Sequence, residues 1–128
     1  MNCIILDTST NTLHLAIANS GSLIAWSQQV HHNQVSVLLI PSIHHILQEN
    51  KLTLKDLHYL AVGTGPGSFT GTRVAAITAM SLAFALEIPL IGFSSTLLDE
   101  KRSIITEKVH KKFLNNNLAL SIDYTRSS

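Results

Sequence analysis

The sequence predicts an α/β domain: a mixed sheet that begins as an antiparallel meander and continues with parallel strands joined by helices. Three observations carry that expectation. Residues 1–30 hold three short strand-like segments separated by turn clusters. Two later runs, residues 59–62 and 89–93, are apolar without alternation, as strands buried on both faces are. Between and after them, apolar residues recur at helical spacing.

Residues 3–6 form the first apolar run and end on the polar turn cluster Asp7-Thr8-Ser9-Thr10-Asn11. Leu13, Leu15 and Ile17 alternate with His14, Ala16 and Ala18, which predicts a second strand. Asn19-Ser20-Gly21 makes the next turn, and residues 23–30 a third strand. Residues 34–50 are expected as a helix, with Val35, Leu38, Leu39, Ile43, Ile46 and Leu47 along one side. Pro41 inside it should kink it or cost a hydrogen bond. Thr53-x-x-Asp56 is a weakened capping box that opens one helical turn.

After the 59–62 strand comes a glycine-rich loop, then a helix over about 70–86. The 89–93 strand follows, and Ser94, Ser95 or Thr96 caps the next helix. That helix is expected to reach about Phe113, with Lys108, Lys111 and Lys112 near its C-terminal end, where the macrodipole favours cations. Asn115-Asn116-Asn117 should break it. Residues 118–123 then read as one more strand, and Ile122-Asp123-Tyr124-Thr125 echoes Leu6-Asp7-Thr8-Ser9 near the start.

At 128 residues the chain is long enough for one domain with a real core. It is 45% hydrophobic and only 13% charged, an apolar balance that hints at surface reserved for a partner. A net charge of +1 gives no electrostatic case for direct nucleic-acid binding. The lone Cys3 excludes an internal disulfide and fits a reducing cytoplasm. No signal peptide is predicted at the start, and the longest uncharged stretch, 74–86, falls short of the ~20 residues that cross a bilayer. The chain therefore reads as a soluble protein with no membrane partner.

The loop Gly63-Thr64-Gly65-Pro66-Gly67-Ser68-Phe69-Thr70-Gly71 is the strongest local signal. Its glycines allow close backbone approach, and the helix start behind it leaves N–H groups free for an anion or a partner's carbonyls. It is not a P-loop, because Gly71 is followed by Thr72-Arg73 and not by Lys-Ser/Thr; nor does its spacing match the dinucleotide fingerprint. A tight strand-to-helix turn with no ligand is the equally open reading.

Between Arg73 and Glu87 there is no charge. Val74, Ile77, Leu82 and Phe84 are large, whereas Ala75, Ala76, Ala79, Ala83 and Ala85 are small. A helix apolar around most of its circumference must be buried on more than one side. The large residues are expected to pack on the sheet. The stripe Ala75-Ala79-Ala83 is expected to admit a second helix, from the same chain or from another protein.

No complete catalytic set is visible. The seven histidines show no His-x-x-x-His or His-Glu-x-x-His spacing, so no metal site is expected, and exposed or capping histidines are the reading. Asp7, with Thr8 and Ser9 behind it, stands where a carboxylate holds a metal–phosphate complex or satisfies turn N–H groups. Ser68 lacks a base at a telling spacing.

Leu6-Asp7-Thr8-Ser9, His32 before Leu38-Leu39-x-Pro41, Thr53-Leu54-Lys55-Asp56-Leu57, the run Gly65-Pro66-Gly67-Ser68-Phe69-Thr70-Gly71 with Arg73, and residues 88–95 occur in one order and spacing. Over roughly residues 2–98 the chain resembles the TsaB (YeaZ) family. The resemblance implies an actin-like ATPase fold built of two RNase H-like domains, the first at 1–98. Residues 99–128 would be a connecting helix and the first strand of a largely missing second domain. It implies a non-catalytic scaffold or activator in the assembly that places threonylcarbamoyl on the adenosine beside the tRNA anticodon. Its partners would be a TsaD-like transferase and a TsaE-like ATPase, with homodimers through the same surface. No cofactor of its own is implied, ATP binding being left to the assembled complex. The partner contact is expected on the two helices of the first domain, through Val35, Leu39, Ile43, Ala75, Ala76, Ala79 and Ala83.

Two departures stand out. The family's second domain opens on a strand ending Asp-Ala-Arg, for which Asp123-Tyr124-Thr125-Arg126 looks like a degraded version. Ala75-Ala76 stands where the family often has glycine. The alternatives are a minimal actin-fold nucleotide hydrolase or kinase using Asp7 and the glycine loop, and a decayed relic.

Overall fold

The computed structural model describes the backbone of residues 1–126 and, Phe69 apart, the side chains of residues 1–116. Three strands open the chain: β1 (Asn2–Asp7), β2 (Thr12–Asn19) and β3 (Ser22–Val30). They pair antiparallel in sequence, so the expected meander is present. Helix α1 (Val35–Glu49) then crosses to β4 (Leu57–Gly63), and α2 (Phe69–Leu86) crosses to β5 (Leu90–Phe93). Both later strands run parallel to β1, giving the order β3-β2-β1-β4-β5. β1 thus lies at the centre, buried on both faces, as its unbroken run Cys3-Ile4-Ile5-Leu6 requires.

Helices α1 and α2 pack side by side over one face of the sheet. Ile4, Leu6, Leu13, Leu15, Ile17, Leu60 and Val62 meet Val35, Leu39, Ile43, Ile46 and Leu47 from α1 there. From α2 the buried contributors are Ala75, Ala79 and Ala83, each 0% exposed. This revises the expected orientation of α2. The alanine stripe faces the sheet and α1, Val74 and Leu82 are partly buried against the same core as expected, and Ile77, Met80 and Phe84 face outward. Small side chains let the helix sit close over a sheet face already filled by branched aliphatics, which leaves room for large ones only at its flanks.

Helix α1 runs through Pro41, which lies on its exposed side, where a missing backbone N–H leaves the partner carbonyl open to water. Between α1 and β4, the Asp56 carboxylate accepts from the Thr53 N–H at 2.8 Å, one arm of the expected capping box. Glu87 closes α2 in a left-handed conformation, and the Ile88 N–H returns to the Ala83 carbonyl at 3.0 Å.

The opposite face is covered by α3 (Arg102–Arg126), after a short 3₁₀ segment, Ser95–Asp99, whose N-cap is Ser94. Ile105, Val109 and Phe113 pack on Cys3, Ile5, Tyr59, Ala61, Ile91 and Phe93. The Tyr59 and Phe113 rings stack with centroids 3.8 Å apart, and the Tyr59 hydroxyl meets His110 Nδ1 at 3.0 Å. Phe113→Ala should lower unfolding stability by about 3–5 kcal/mol in urea titration, because it empties the centre of this layer.

Residues 118–123, expected as a strand, continue α3, and the three asparagines do not end it. A helix closes its backbone hydrogen bonds internally, whereas a strand needs a neighbour, and the described sheet has none for this segment. Lys108, Lys111 and Lys112 consequently sit mid-helix. They pair with Glu100, Glu107 and the Gly92 carbonyl.

Cys3 is buried in this second layer, and burial pushes its thiol up to about 11. The unfolded thiol ionises from its ordinary 9.0, so this group's contribution is intact below pH 9 and declines as pH rises towards 11. The native chain should therefore resist a chromogenic disulfide reagent at pH 8, and the urea-unfolded chain should react at once.

Candidate functional site

The C-terminal end of β1 meets the glycine loop beneath the start of α2. Asp7, Thr8 and Ser9 are all buried. Asp7 Oδ1 accepts from the Ser9 N–H at 2.8 Å and from Ser9 Oγ at 2.6 Å. Asp7 Oδ2 accepts from Ser95 Oγ at 2.5 Å. The carboxylate is thus turned inward, with both oxygens engaged by the chain itself. That is the arrangement the turn-bracing alternative expects.

Space for that carboxylate depends on Gly63. A Cβ there would stand 1.7 Å from Asp7 Oδ2. Ser95 in turn ties the loop to β5: its Oγ accepts from the Gly65 N–H and its N–H donates to the Gly65 carbonyl, both at 2.9 Å. Farther along, Gly67 lies against Ser9, where a Cβ would meet the carbonyl oxygen at 2.2 Å, and Gly71 lies against the Thr8 carbonyl. The Ser68 N–H donates to the Ser9 carbonyl at 2.5 Å, and Thr8 Oγ1 donates to the Gly71 carbonyl at 2.6 Å. Ser68 is the N-cap of α2, its Oγ accepting from the Gly71 N–H. Gly65 and Pro66 share a cis peptide bond, Thr70 and Arg73 lie exposed in the first turn of α2, and the Phe69 side chain lies outside the described residues. The loop therefore grips the β1 turn, which accounts for its glycines without a ligand.

His31, expected exposed or capping, is buried. Its Nδ1 accepts from the Asn33 N–H at 3.1 Å, which leaves Nε2 to donate to the Thr10 carbonyl at 2.7 Å. It lines a cleft of about 280 Å³ with Asn33, Ser36, Ser68, Thr70 and Gly71 between the starts of α1 and α2. His14 pairs opposite Asp7 in the sheet. Burial lowers its pKa, against the pull of Asp7 and helped by Arg102, so it is neutral at pH 7.

The second candidate site is a surface. Ile77, Met80 and Phe84 recur at i, i+3 and i+7 on α2 and are 60%, 58% and 66% exposed. Val37 and Ile40 of the adjacent α1 are 65% and 39% exposed. Val35, Leu39, Ile43, Ala75, Ala79 and Ala83, expected as the contact, are core instead, and of that set only Ala76 retains partial exposure. The physical reason is the close seating of α2, which turns its small side inward.

A family model described as "TsaD: tRNA N6-adenosine threonylcarbamoyltransferase" matches residues 26–100. The TsaB tRNA threonylcarbamoyladenosine biosynthesis protein of Buchnera aphidicola from Schizaphis graminum is 31% identical over 96% of this chain and 56% of its own length. The Escherichia coli protein of the same name is 34% identical over 76% of this chain and 42% of its own. YeaZ from Pseudomonas aeruginosa superposes with a TM-score of 0.68 at 32% identity, over 73% of this chain and 43% of that one.

The chain belongs to the TsaB (YeaZ) family. It spans about half the length of the TsaB relatives it matches. RuvC from Thermus thermophilus, with a TM-score of 0.50 at 15% identity, shares the fold alone. That fold is the RNase H-like, actin-like sheet expected above. Within this TsaB-family domain, Gly63 and Ser95 are the residues that sequence reasoning passed over. Gly63 was legible only as a loop glycine and Ser95 only as a helix cap; their partner, Asp7, lies far from both in sequence.

Proposed function

We propose that this chain serves tRNA threonylcarbamoyladenosine biosynthesis as a non-catalytic scaffold, binding a TsaD-like transferase through the outward faces of α2 and α1. The observation that carries the reading is the apolar strip of Ile77, Met80 and Phe84 on a helix segment without charge, with Val37 and Ile40 also exposed on the helix that packs against it. Apolar, aromatic-centred surface of this kind is what a stable partner covers. The names of the TsaB relatives supply the process. A TsaE-like ATPase joins the assembly on this reading. The inward-turned Asp7 carboxylate and the self-occupied glycine loop favour the scaffold over the nucleotide hydrolase.

The test is to mix the purified chain with the TsaD-like protein of the same organism and weigh the product by light scattering. A one-to-one complex is expected. A folded chain that leaves the TsaD-like protein at its own mass overturns the proposal.

A further inference from the structure

The two edges of the sheet are finished differently. On β5 the carbonyls of Pro89 and Phe93 face β4, accepting from Leu60 and Thr64, so alternation turns the Gly92 carbonyl to the free side. There the Lys112 ammonium donates to it. A lysine on an edge strand opposes the addition of a further strand.

On β3 the backbone is left open. Residues 22–30 contain no Pro, and the one irregularity in their ladder lies opposite Ile17 and Ala18, next to the hairpin turn. Residues 25–30 are therefore regular. The His31 N–H donates inward to the Asn11 carbonyl, so alternation turns the N–H and C=O groups of Trp26, Gln28 and Val30 away from β2. Arg102 reaches this edge, but only through side chains. Its guanidinium stacks over the Trp26 ring, 5.0 Å from the centroid, and donates to Gln28 Oε1.

Arg102 gives the edge its sign. Residues 22–30 carry no Asp or Glu, and Glu100 and Glu107, on either side of Arg102 in the chain, pair with Lys108 and Lys111. Among the described residues Arg102 has no carboxylate in ion-pair contact. A second copy of β3 would bring its own arginine against this one, whereas an acidic strand brings the missing countercharge.

We propose that β3 takes up an extended acidic segment of a partner protein as a sixth strand. The segment's backbone pairs with Trp26, Gln28 and Val30, and a carboxylate on the face it shares with Gln28 meets Arg102. The surface is separate from the outward faces of α1 and α2.

Trp26 is the only tryptophan, so its fluorescence reports the edge. The full chain is titrated with acetyl-Val-Glu-Val-Glu-Val-Glu-Val-amide, with the same peptide carrying lysine for glutamate, and with the glutamate peptide N-methylated at every glutamate. The glutamate peptide should shift the Trp26 emission saturably. The lysine peptide, which sets like charge on Arg102, and the methylated one, which lacks the donors that face β3, should each bind roughly tenfold more weakly or worse. Arg102→Glu should reverse the preference between the two charged peptides. The methylated peptide leaves the protein untouched, so a misfolded Arg102→Glu chain does not decide the result. No saturable shift, equal affinity for the lysine peptide, or binding that survives methylation overturns the proposal. An oligouridylate that shifts Trp26 where the glutamate peptide does not would give the Arg102–Trp26 pair to RNA and overturn it too. No TsaD-like protein enters the titration, so its failure leaves the scaffold reading standing.

Discussion

Replacing Gly63 by alanine should destabilise the domain by about 3 kcal/mol or more, although it adds a single methyl group. The methyl would fall 1.7 Å from Asp7 Oδ2 and 3.0 Å from Ser95 Oγ. To admit it, the carboxylate must swing away, which breaks the 2.5 Å bond from Ser95 and loosens the two bonds from Ser9. A buried carboxylate deprived of its donors costs more than the overlap itself. Ser95 also holds Gly65 in both directions, so the loss spreads to the glycine loop and the start of α2. Asp7→Ala alone should be destabilising as well, since it strands the Ser9 and Ser95 hydroxyls. Combining the two removes the clash along with its cause. The double variant should therefore be less destabilised than the sum of the single ones, by more than the ~0.5 kcal/mol scatter of independent sites. Urea titration of the four proteins measures this directly. Additive losses would mean that Gly63 and Asp7 do not share the contact.

The same cluster shows where sequence reading stops. The meander, the parallel strands and α1 were legible because they rest on local periodicity: alternation in β2, helical spacing in Val35, Leu39, Ile43 and Ile46. The Asp7–Ser95 bond spans 88 positions, and no local pattern announces it. α2 failed for a different reason. Its two faces are both apolar, so periodicity separates large from small side chains and not inside from outside. The space available over the sheet decides which side turns in, and that space belongs to β1, β2, β4 and α1. Residues 118–123 failed because an apolar run suits either state, and pairing partners choose between them. The family's signature loop was read correctly as a loop. Its reason, packing against Thr8 and Ser9, required coordinates.

Two glutamate substitutions on α2, five residues apart, should separate fold from function. Ala79→Glu probes the alanine stripe that the sequence alone points to as the contact. Ala79 is 0% exposed among Ile4, Leu6 and Val62, so a carboxylate there has neither water nor room, and the variant should lose cooperative unfolding. Its failure to bind a partner would carry no information. Phe84 is 66% exposed, and Phe84→Glu should change the melting temperature little, because the side chain is already in water. Against a TsaD-like partner, the same change places a charge at the aromatic centre of the apolar strip. Loss of such an anchor costs about 2 kcal/mol or more, roughly 30-fold in affinity. Titration calorimetry on Phe84→Glu, with Met80→Ala as a milder step on the same face, reads this out. Unchanged affinity in a folded Phe84→Glu chain would move the contact off α2. A loss graded from Met80→Ala to Phe84→Glu would assign the outward strip to the partner, with the alanines beneath it serving only to hold the helix close enough to the sheet for that strip to stand proud.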